Sequence, residues 1–340
     1  MKTTRLHVER GKVEREKMVR ILKQAAVLAC LSWAGPLQVS AGDPEDNAAA
    51  QYKAASLLQT GGMYKSAAAA WERFLNRYPE DRLIASAMNR LGWCYVSLKR
   101  YSEAARVFAN ASALYPASPD LRLMLSGLAF AHFKLAETGK YTYADAAEDF
   151  RRVVAAAPNS DDAKQALTFM AYCHVRDGHL DDAHNSIQEL LTRWKSGPFV
   201  ADAWFLRGLI DEKSGKYEQA AESFNTLISG WPKHNKLANA HLHLGQISVR
   251  ERKYSQAAEH FRKASDDPKS SVADVALYDL GRALEENGSD EDAHAAFASM
   301  SRRFPKSKFA EKAKVACLRL EESAAVRDAL LQSRTEKKID

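Results

Sequence analysis

Residues 85–118 read ASAMNRLGWCYVSLKRYSEAARVFANASALYPAS, and this stretch decides the fold. Its first half repeats small and apolar residues three and four positions apart, which predicts one face of an α-helix: Met88, Leu91, Gly92 and Tyr95. The polar pair Lys99-Arg100 then interrupts the pattern, as a turn does. The second half resumes helical spacing until Pro116, which ends it because proline cannot continue a helix. The stretch therefore predicts a helical hairpin.

One feature of this hairpin, Ala104 followed four residues later by Phe108, recurs along the chain. The recurring alanines are separated by 37, 42, 37, 37, 37 and 36 residues: Ala67, Ala104, Ala146, Ala183, Ala220, Ala257 and Ala293. The large apolar residues that follow them are Trp71, Phe108, Phe150, Ile187, Phe224, Phe261 and Phe297. A fixed period of this length predicts an array in which one supersecondary unit is stacked on the next.

Packing explains why these residue types recur. Gly92 and Ala104 are expected where the two helices of a hairpin cross closely, because a larger side chain would force the helices apart. Phe108 is expected to fill the space between adjacent hairpins. The third unit is five residues longer than the common 37, and the extra residues are predicted between its helices, at 137–141.

This pattern resembles the tetratricopeptide repeat, whose unit of about 34 residues carries Trp, Leu-Gly, Tyr, Ala, Phe and Pro. The resemblance covers residues 48–307, with Leu-Gly at Leu91-Gly92, Leu244-Gly245 and Leu280-Gly281. It implies an all-α fold, a right-handed superhelical solenoid of about seven helical hairpins. Residues 308–332 are predicted to form a capping helix, and residues 333–340 a charged tail. One face of the cap would carry Phe309, Ala313, Ala316, Cys317 and Leu320.

The net charge of +6 suggests affinity for nucleic acid, but its distribution argues against this. Residues 1–41 contain eight Lys or Arg and three Asp or Glu, which leaves 41 basic and 40 acidic residues for the rest. A body with so little net charge has no general attraction for nucleic acid or for an anionic membrane. No nucleic-acid partner is therefore expected.

The first 41 residues resemble an export signal. Lys17, Arg20 and Lys23 precede an apolar run from residue 25 to 34, and Val39-Ser40-Ala41 offers a cleavage site before Gly42. The run is too short for a permanent transmembrane helix. Met18 would give a more compact signal than Met1, and both starts stay open. An uncleaved tail on a cytosolic protein is the alternative.

A second interpretation of the leader is lipidation at Cys30. Val27-Leu28-Ala29 precedes this cysteine, as in bacterial lipoprotein signals, although the apolar run continues beyond it. An acyl chain on Cys30 would anchor the protein to a membrane surface.

The remaining cysteines and histidines do not predict a cofactor or a metal. Cys94 and Cys173 occupy the same position in units two and four, beyond disulfide reach, so buried thiols are expected. The densest group of potential ligands is Cys173, His174, His179 and His184, but it has no established metal-binding spacing. His241 and His243 would point to different helix faces.

No catalytic constellation is present in the sequence either. It contains no glycine-rich phosphate loop and no GxSxG motif. Acidic runs such as Asp161-Asp162, Asp181-Asp182 and 290–292 fall at predicted helix starts, where they complement the helix dipole. We expect a non-enzymatic protein without cofactors.

The resemblance implies that the first helices of successive units line a concave groove for partner proteins or peptides. The family's inward positions give a predicted groove that consists of Trp93, Tyr172, Arg176, Phe205, Leu209, Lys213, Leu242, Arg250, Tyr278 and Arg282. One column of this set is apolar or aromatic, and another is basic. Such a surface favours an extended or helical peptide with acidic groups.

Within the family, the inter-repeat turns resemble those of bacterial cell-envelope proteins. The segment 304–320 is similar to the last repeats of the periplasmic partner of the Tol-Pal system. The first units are similar to the outer-membrane lipoprotein of the β-barrel assembly machinery. The sequence therefore predicts an exported interaction scaffold of the envelope. The alternatives are a lipid-anchored outer-membrane assembly factor, a cytosolic adaptor, and an enzyme accessory subunit with a metal at the cluster of residues 173–184.

Overall fold

The computed structural model describes residues 47–336, with side chains described up to Val326 and at Ala329. The predicted leader, the cleavage site before Gly42, Cys30 and the end of the charged tail lie outside these residues. Between residues 47 and 336 there are fifteen α-helices and no strand. No helix among them is long and apolar enough to cross a membrane.

The helices follow one another in pairs, which confirms the predicted all-α repeat solenoid. Their bounds are α1 Ala48–Thr60, α2 Tyr64–Arg77, α3 Ile84–Ser97, α4 Tyr101–Leu114, α5 Leu121–Ala136, α6 Tyr143–Ala156, α7 Asp161–Asp177, α8 Leu180–Arg193, α9 Pro198–Lys213, α10 Tyr217–Gly230, α11 Leu237–Arg250, α12 Tyr254–Ser265, α13 Ala273–Glu286, α14 Asp290–Arg303 and α15 Ala310–Glu336. Helices α1 to α14 form seven hairpins, numbered one to seven below, and α15 follows the last.

The chain divides into two compact units with a boundary between Ser186 and Ile187, inside α8. In the first unit, the helices from α1 to α7 pack on one another in consecutive pairs, from α1 on α2 to α6 on α7. In the second unit, the same holds from α9 to α15. Contacts between sequence neighbours are what a stacked repeat requires.

The recurring alanines belong to the core of the array, because all seven have no exposed surface. The large side chains four residues later are 0–3% exposed. Where a glycine lies opposite, the aromatic ring occupies the place of the missing side chain. A Cβ atom added at Gly92 would lie 2.6 Å from Phe108, and one added at Gly127 of the next hairpin would lie 2.3 Å from the same ring. Phe108 therefore fills the space between adjacent hairpins, as predicted.

The loops within the hairpins are short, and each contains one residue in the left-handed region. Five of the seven loops have three residues, whereas the third hairpin has six, 137–142. The longer third loop agrees with the predicted position of the extra residues. The left-handed residues are Gly62, Lys99, Gly139, Gly178, Gly215, Arg252 and Gly288.

Helix α15 packs on α14 and extends to Glu336, four residues beyond the predicted cap. Ala313, Ala316 and Leu320 are buried in the core of the second unit, and Phe309 and Cys317 pack against it. Two apolar side chains of this helix, Val315 and Leu318, are 64% and 60% exposed.

The described cysteines, Cys94, Cys173 and Cys317, are free thiols. Burial raises the pKa of Cys94 to about 11 and that of Cys173 to about 12. A thiol with such a pKa is almost entirely protonated near neutrality and is a poor nucleophile. Cys94 and Cys173 are therefore packing residues.

Candidate functional site

The first helices of consecutive hairpins form one face of each unit, which we call the first-helix face. In the first unit, α3 contacts α5 and α5 contacts α7; in the second, α11 contacts α13. All ten residues of the predicted groove lie on first helices.

Two residues of the apolar column of the predicted groove are buried by packing within the protein. Phe205 and Leu242 are only 6% and 7% exposed, so they belong to the core and not to a partner surface. Phe205 packs on Phe224, with ring centroids 5.8 Å apart, and the Lys236 ammonium lies 5.5 Å from the Phe205 ring centre. These neighbours cover the side chain that the family pattern placed in the groove.

The other apolar positions keep part of their surface. Trp93 is half-buried and packs edge-on against Phe108, with centroids 5.5 Å apart. Tyr278 stacks on Phe309 with centroids 5.0 Å apart. Leu209 is also half-buried, and Tyr172 is the most accessible member, with 39% of its surface exposed.

The basic column remains at the surface. Arg176, Lys213, Arg250 and Arg282 are all exposed. Two of them also stack on tyrosines of the preceding hairpin. The Arg176 guanidinium lies 5.4 Å from the Tyr143 ring centre, and that of Arg250 lies 4.7 Å from Tyr217. Stacking of this kind limits the rotamers of a long cation and holds its charge in place.

Two of these arginines line a pocket of about 290 Å³ in the second unit. Helices α11 and α13 form its walls, and α12 contributes Tyr254 and Phe261. The complete lining is Gln246, Val249, Arg250, Tyr254, Phe261, Asp279, Arg282, Ala283 and Glu286. We call this the α11–α13 pocket. Its lining combines the apolar side chains of Val249, Phe261 and Ala283 with two guanidinium groups. Each guanidinium group can donate paired hydrogen bonds to a carboxylate.

The pocket also contains two acidic residues that the sequence analysis did not select. Asp279 precedes Arg282 by three residues and Glu286 follows it by four, so all three share one helix face. Burial raises the pKa of Asp279, while the nearby Arg282 charge and a hydrogen bond with the Gln246 side chain act in the opposite direction. The spacing around Arg282 was a signal by which both acids could have been found.

The predicted group of ligating residues is only partly assembled. His174 and His179 come together, and Asp182 joins them, within 4.8 Å of one another. Cys173 is buried and is not among them. His184 does not belong to the cluster either.

The two histidines of α11 face different neighbours, as predicted. Nδ1 of His241 lies 3.1 Å from Nδ1 of His260 on α12. Nδ1 of His243 lies 2.7 Å from the Glu212 carboxylate, and its ring stacks on Phe224.

A family model described as tetratricopeptide repeat matches residues 52–119, 170–235, 213–271 and 236–308. These ranges together cover more than half of the chain. They agree with the predicted range of 48–307 at both ends, and they leave out residues 120–169, which contain Ala146 and Phe150 of the third hairpin. No curated protein matches the sequence.

Several crystal structures are similar in fold. A tetratricopeptide repeat protein from Parabacteroides merdae has a TM-score of 0.53 at 15% identity, covering 80% of this chain and 98% of that one. The C-terminal part of a repeat protein from Cytophaga hutchinsonii has a TM-score of 0.62 at 14% identity, covering 77% and 98%. PilF from Pseudomonas aeruginosa has a TM-score of 0.51 at 16% identity, covering 68% and 96%. At these identities the similarity establishes the fold alone.

Proposed function

Because the chain belongs to the tetratricopeptide repeat family, we propose that it binds partner proteins through an acidic peptide segment held at the α11–α13 pocket. Tetratricopeptide repeats are protein–protein interaction scaffolds, and this part of the function follows from the family. The peptide chemistry is our inference from the pocket.

The observation that carries the proposal is that Arg250 and Arg282 line one pocket together with the apolar side chains of Val249, Phe261 and Ala283. Arg250 is held by its stack on Tyr217, so little rotamer freedom remains to be lost on binding. A glutamate of a partner could lay its methylene groups on Val249 and Ala283 and place its carboxylate between the guanidinium groups. Asp279 and Glu286 would disfavour a second acidic side chain at the same place, which favours one acid within an otherwise apolar segment.

The test is a charge reversal at the pocket. Arg250→Glu/Arg282→Glu is compared with a matched variant, Arg262→Glu/Arg302→Glu, which changes two exposed arginines on second helices. Partners are cross-linked in cells and identified by mass spectrometry. Their contact segments are then synthesised and titrated against the three proteins, together with versions in which the acidic residue is replaced by its amide.

We expect partner segments with a glutamate or aspartate that bind wild type and the matched variant alike. Binding to the pocket variant should be markedly weaker, because two charges that attract the partner's carboxylate are replaced by two that repel it. Equal affinity for both variants, or no loss on conversion of the acid to the amide, would refute the pocket as the binding site.

We further propose that the scaffold works in the bacterial cell envelope. The support for this setting is the N-terminal sequence, with a basic segment, an apolar run and a Val39-Ser40-Ala41 cleavage pattern. Cys30 supports the alternative of a lipid-anchored outer-membrane assembly factor. A cytosolic adaptor would keep the leader.

The N-terminus of the protein purified from cells distinguishes these settings. A chain that begins at Gly42 in the periplasmic fraction supports export, and an acylated Cys30 in the membrane fraction supports the anchored form. A cytosolic chain with residues 1–41 attached refutes the envelope proposal, while the peptide-binding proposal is tested separately by the charge reversal.

A further inference from the structure

Three side chains that can ligate a metal meet at the turn between α7 and α8. One ligand atom each of His174, His179 and Asp182 lies within 4.8 Å of the others. His174 is half-buried in the last turn of α7, whereas His179 and Asp182 are exposed. Two imidazoles and one carboxylate form a donor set that suits first-row divalent cations.

The backbone of the turn is what brings the two histidines together. Gly178 ends α7 in the left-handed conformation, with φ of +86°. The chain therefore reverses sharply, and the His179 amide donates a 2.8 Å hydrogen bond to the His174 carbonyl. Asp182 follows in the first turn of α8.

Charged side chains surround the two histidines of the cluster. The Asp177 carboxylate lies 3.4 Å from Nδ1 of His179, a position from which it can orient the imidazole ring. Arg151 of α6 places a positive charge near His174, whereas Asp177 and Asp182 place negative charges near it.

We propose that His174, His179 and Asp182 bind one first-row divalent cation, such as Zn²⁺, with the remaining coordination position open to water or a partner's ligand. Bonds of about 2.0–2.2 Å require the donor atoms to approach one another further. The side chain of His179 is 59% exposed, so it can move without disturbing the core. The bound cation would tie the end of α7 to the start of α8.

The experiment is a zinc titration of the full chain without an affinity tag, followed by calorimetry and equilibrium dialysis. His179→Ala and Asp182→Asn remove single ligands at exposed positions. His184→Ala is the matched control, because it removes a histidine of α8 that lies outside the cluster. Far-ultraviolet circular dichroism verifies that all three variants retain the wild-type helix content.

We expect one zinc equivalent in wild type and in His184→Ala, and affinity at least about tenfold weaker in each ligand variant. Co²⁺ in place of Zn²⁺ should give a visible absorption spectrum that is lost in the same two variants. Unchanged affinity in either ligand variant overturns the proposal, as does the absence of zinc binding to wild type. Zinc that is lost only on His241→Gln/His260→Gln also overturns it, because the ion would then sit at the other histidine pair.

Discussion

The third and sixth hairpins pack equivalent positions in different ways. In the sixth hairpin, Gly245 lies under Phe261, and a Cβ added to the glycine would be 2.5 Å from the ring. In the third, the equivalent position is Ala129, and the ring of Phe150 stacks on Phe169, with centroids 5.1 Å apart and planes 8° from parallel. Both arrangements bury the aromatic ring almost completely.

The difference shows that the aromatic ring of a hairpin can be buried by different sets of neighbouring residues. Where the first helix has glycine, the ring lies directly on its backbone. Where it has alanine, the ring of Phe150 instead stacks face to face on an aromatic residue of the next first helix. The two arrangements are not exclusive, because Phe224 of the fifth hairpin lies on Gly208 and also stacks on His243 of the next first helix.

The largest expected effect comes from removing the ring of the sixth hairpin. Phe261→Ala should lower the free energy of unfolding by about 3–5 kcal/mol, because it leaves a cavity in a core that cannot collapse fully. Urea denaturation measures the loss. Phe150→Ala should cost a similar amount, and a loss below about 1 kcal/mol in either variant would mean that the ring is not a packing element there.

A smaller effect is expected from adding a methyl group at the glycine of the sixth hairpin. Gly245→Ala should cost about 1–3 kcal/mol, because the added methyl group overlaps the Phe261 ring. Gly230→Ala is the control, since nothing lies within 4 Å of its added Cβ. The control should be neutral or slightly stabilising by helix propensity.

The double variant Gly245→Ala/Phe261→Ala sharpens this measurement. When the Phe261 ring is absent, the methyl group at position 245 has room. Gly245→Ala should therefore cost less than half as much in the Phe261→Ala protein as it does in wild type. Additive losses would contradict a direct contact between the two positions.

Acid should weaken the sixth hairpin through its histidine pair. Burial, the neighbouring His260 and Lys263 together lower the pKa of His241 from 6.5 to about 4, and the pKa of His260 is lowered too. The unfolded chain binds these protons more readily, so stability is complete above pH 6.5 and falls as the pH drops toward 4. The loss should be on the order of 1 kcal/mol after allowance for solvent screening.

Urea midpoints at neutral and acidic pH measure this loss. His241→Gln should flatten the dependence, whereas His294→Gln, which changes an exposed histidine beside Glu321, should leave it as it is. An equally steep dependence in His241→Gln would show that the pair is not its source.

The smallest expected effect concerns the loops. Arg252 has a φ of 58° in the sixth hairpin, where the third hairpin has Gly139. A side chain in this region is strained, so Arg252→Gly should stabilise the protein by up to about 1 kcal/mol. Thermal denaturation measures the gain, and a lower melting temperature would indicate that the arginine side chain makes a stabilising contact.

The fold could be predicted from the sequence because each hairpin uses the same few residues for the same packing. Ala104 and Phe108 determine a close crossing, and their spacing fixes the register of the following helix. The length of the cap was less predictable. The sequence becomes mostly polar and charged after Leu331, but such residues can continue a helix, and helix ends are set by local hydrogen bonds.

The candidate site was less predictable, because exposure depends on neighbours that a position pattern does not contain. Arg250 and Arg282 are exposed, as residues of a binding groove must be, and their contact with a partner stays a prediction. Phe205 is buried instead, since its cover comes from Phe224 and from Lys236, which lies about thirty residues away in sequence. Asp182 was assigned only to helix stabilisation, because its distance from His174 depends on the left-handed turn at Gly178.

The six-residue loop of the third hairpin has a practical consequence. It is twice the common length, and residues 137–140 at its tip are exposed. Exposed loop tips accept insertions with little loss of stability. A fluorescent reporter or an epitope inserted after Gly139 should therefore leave the helical register on both sides unchanged, and it offers a means of following the protein in living cells.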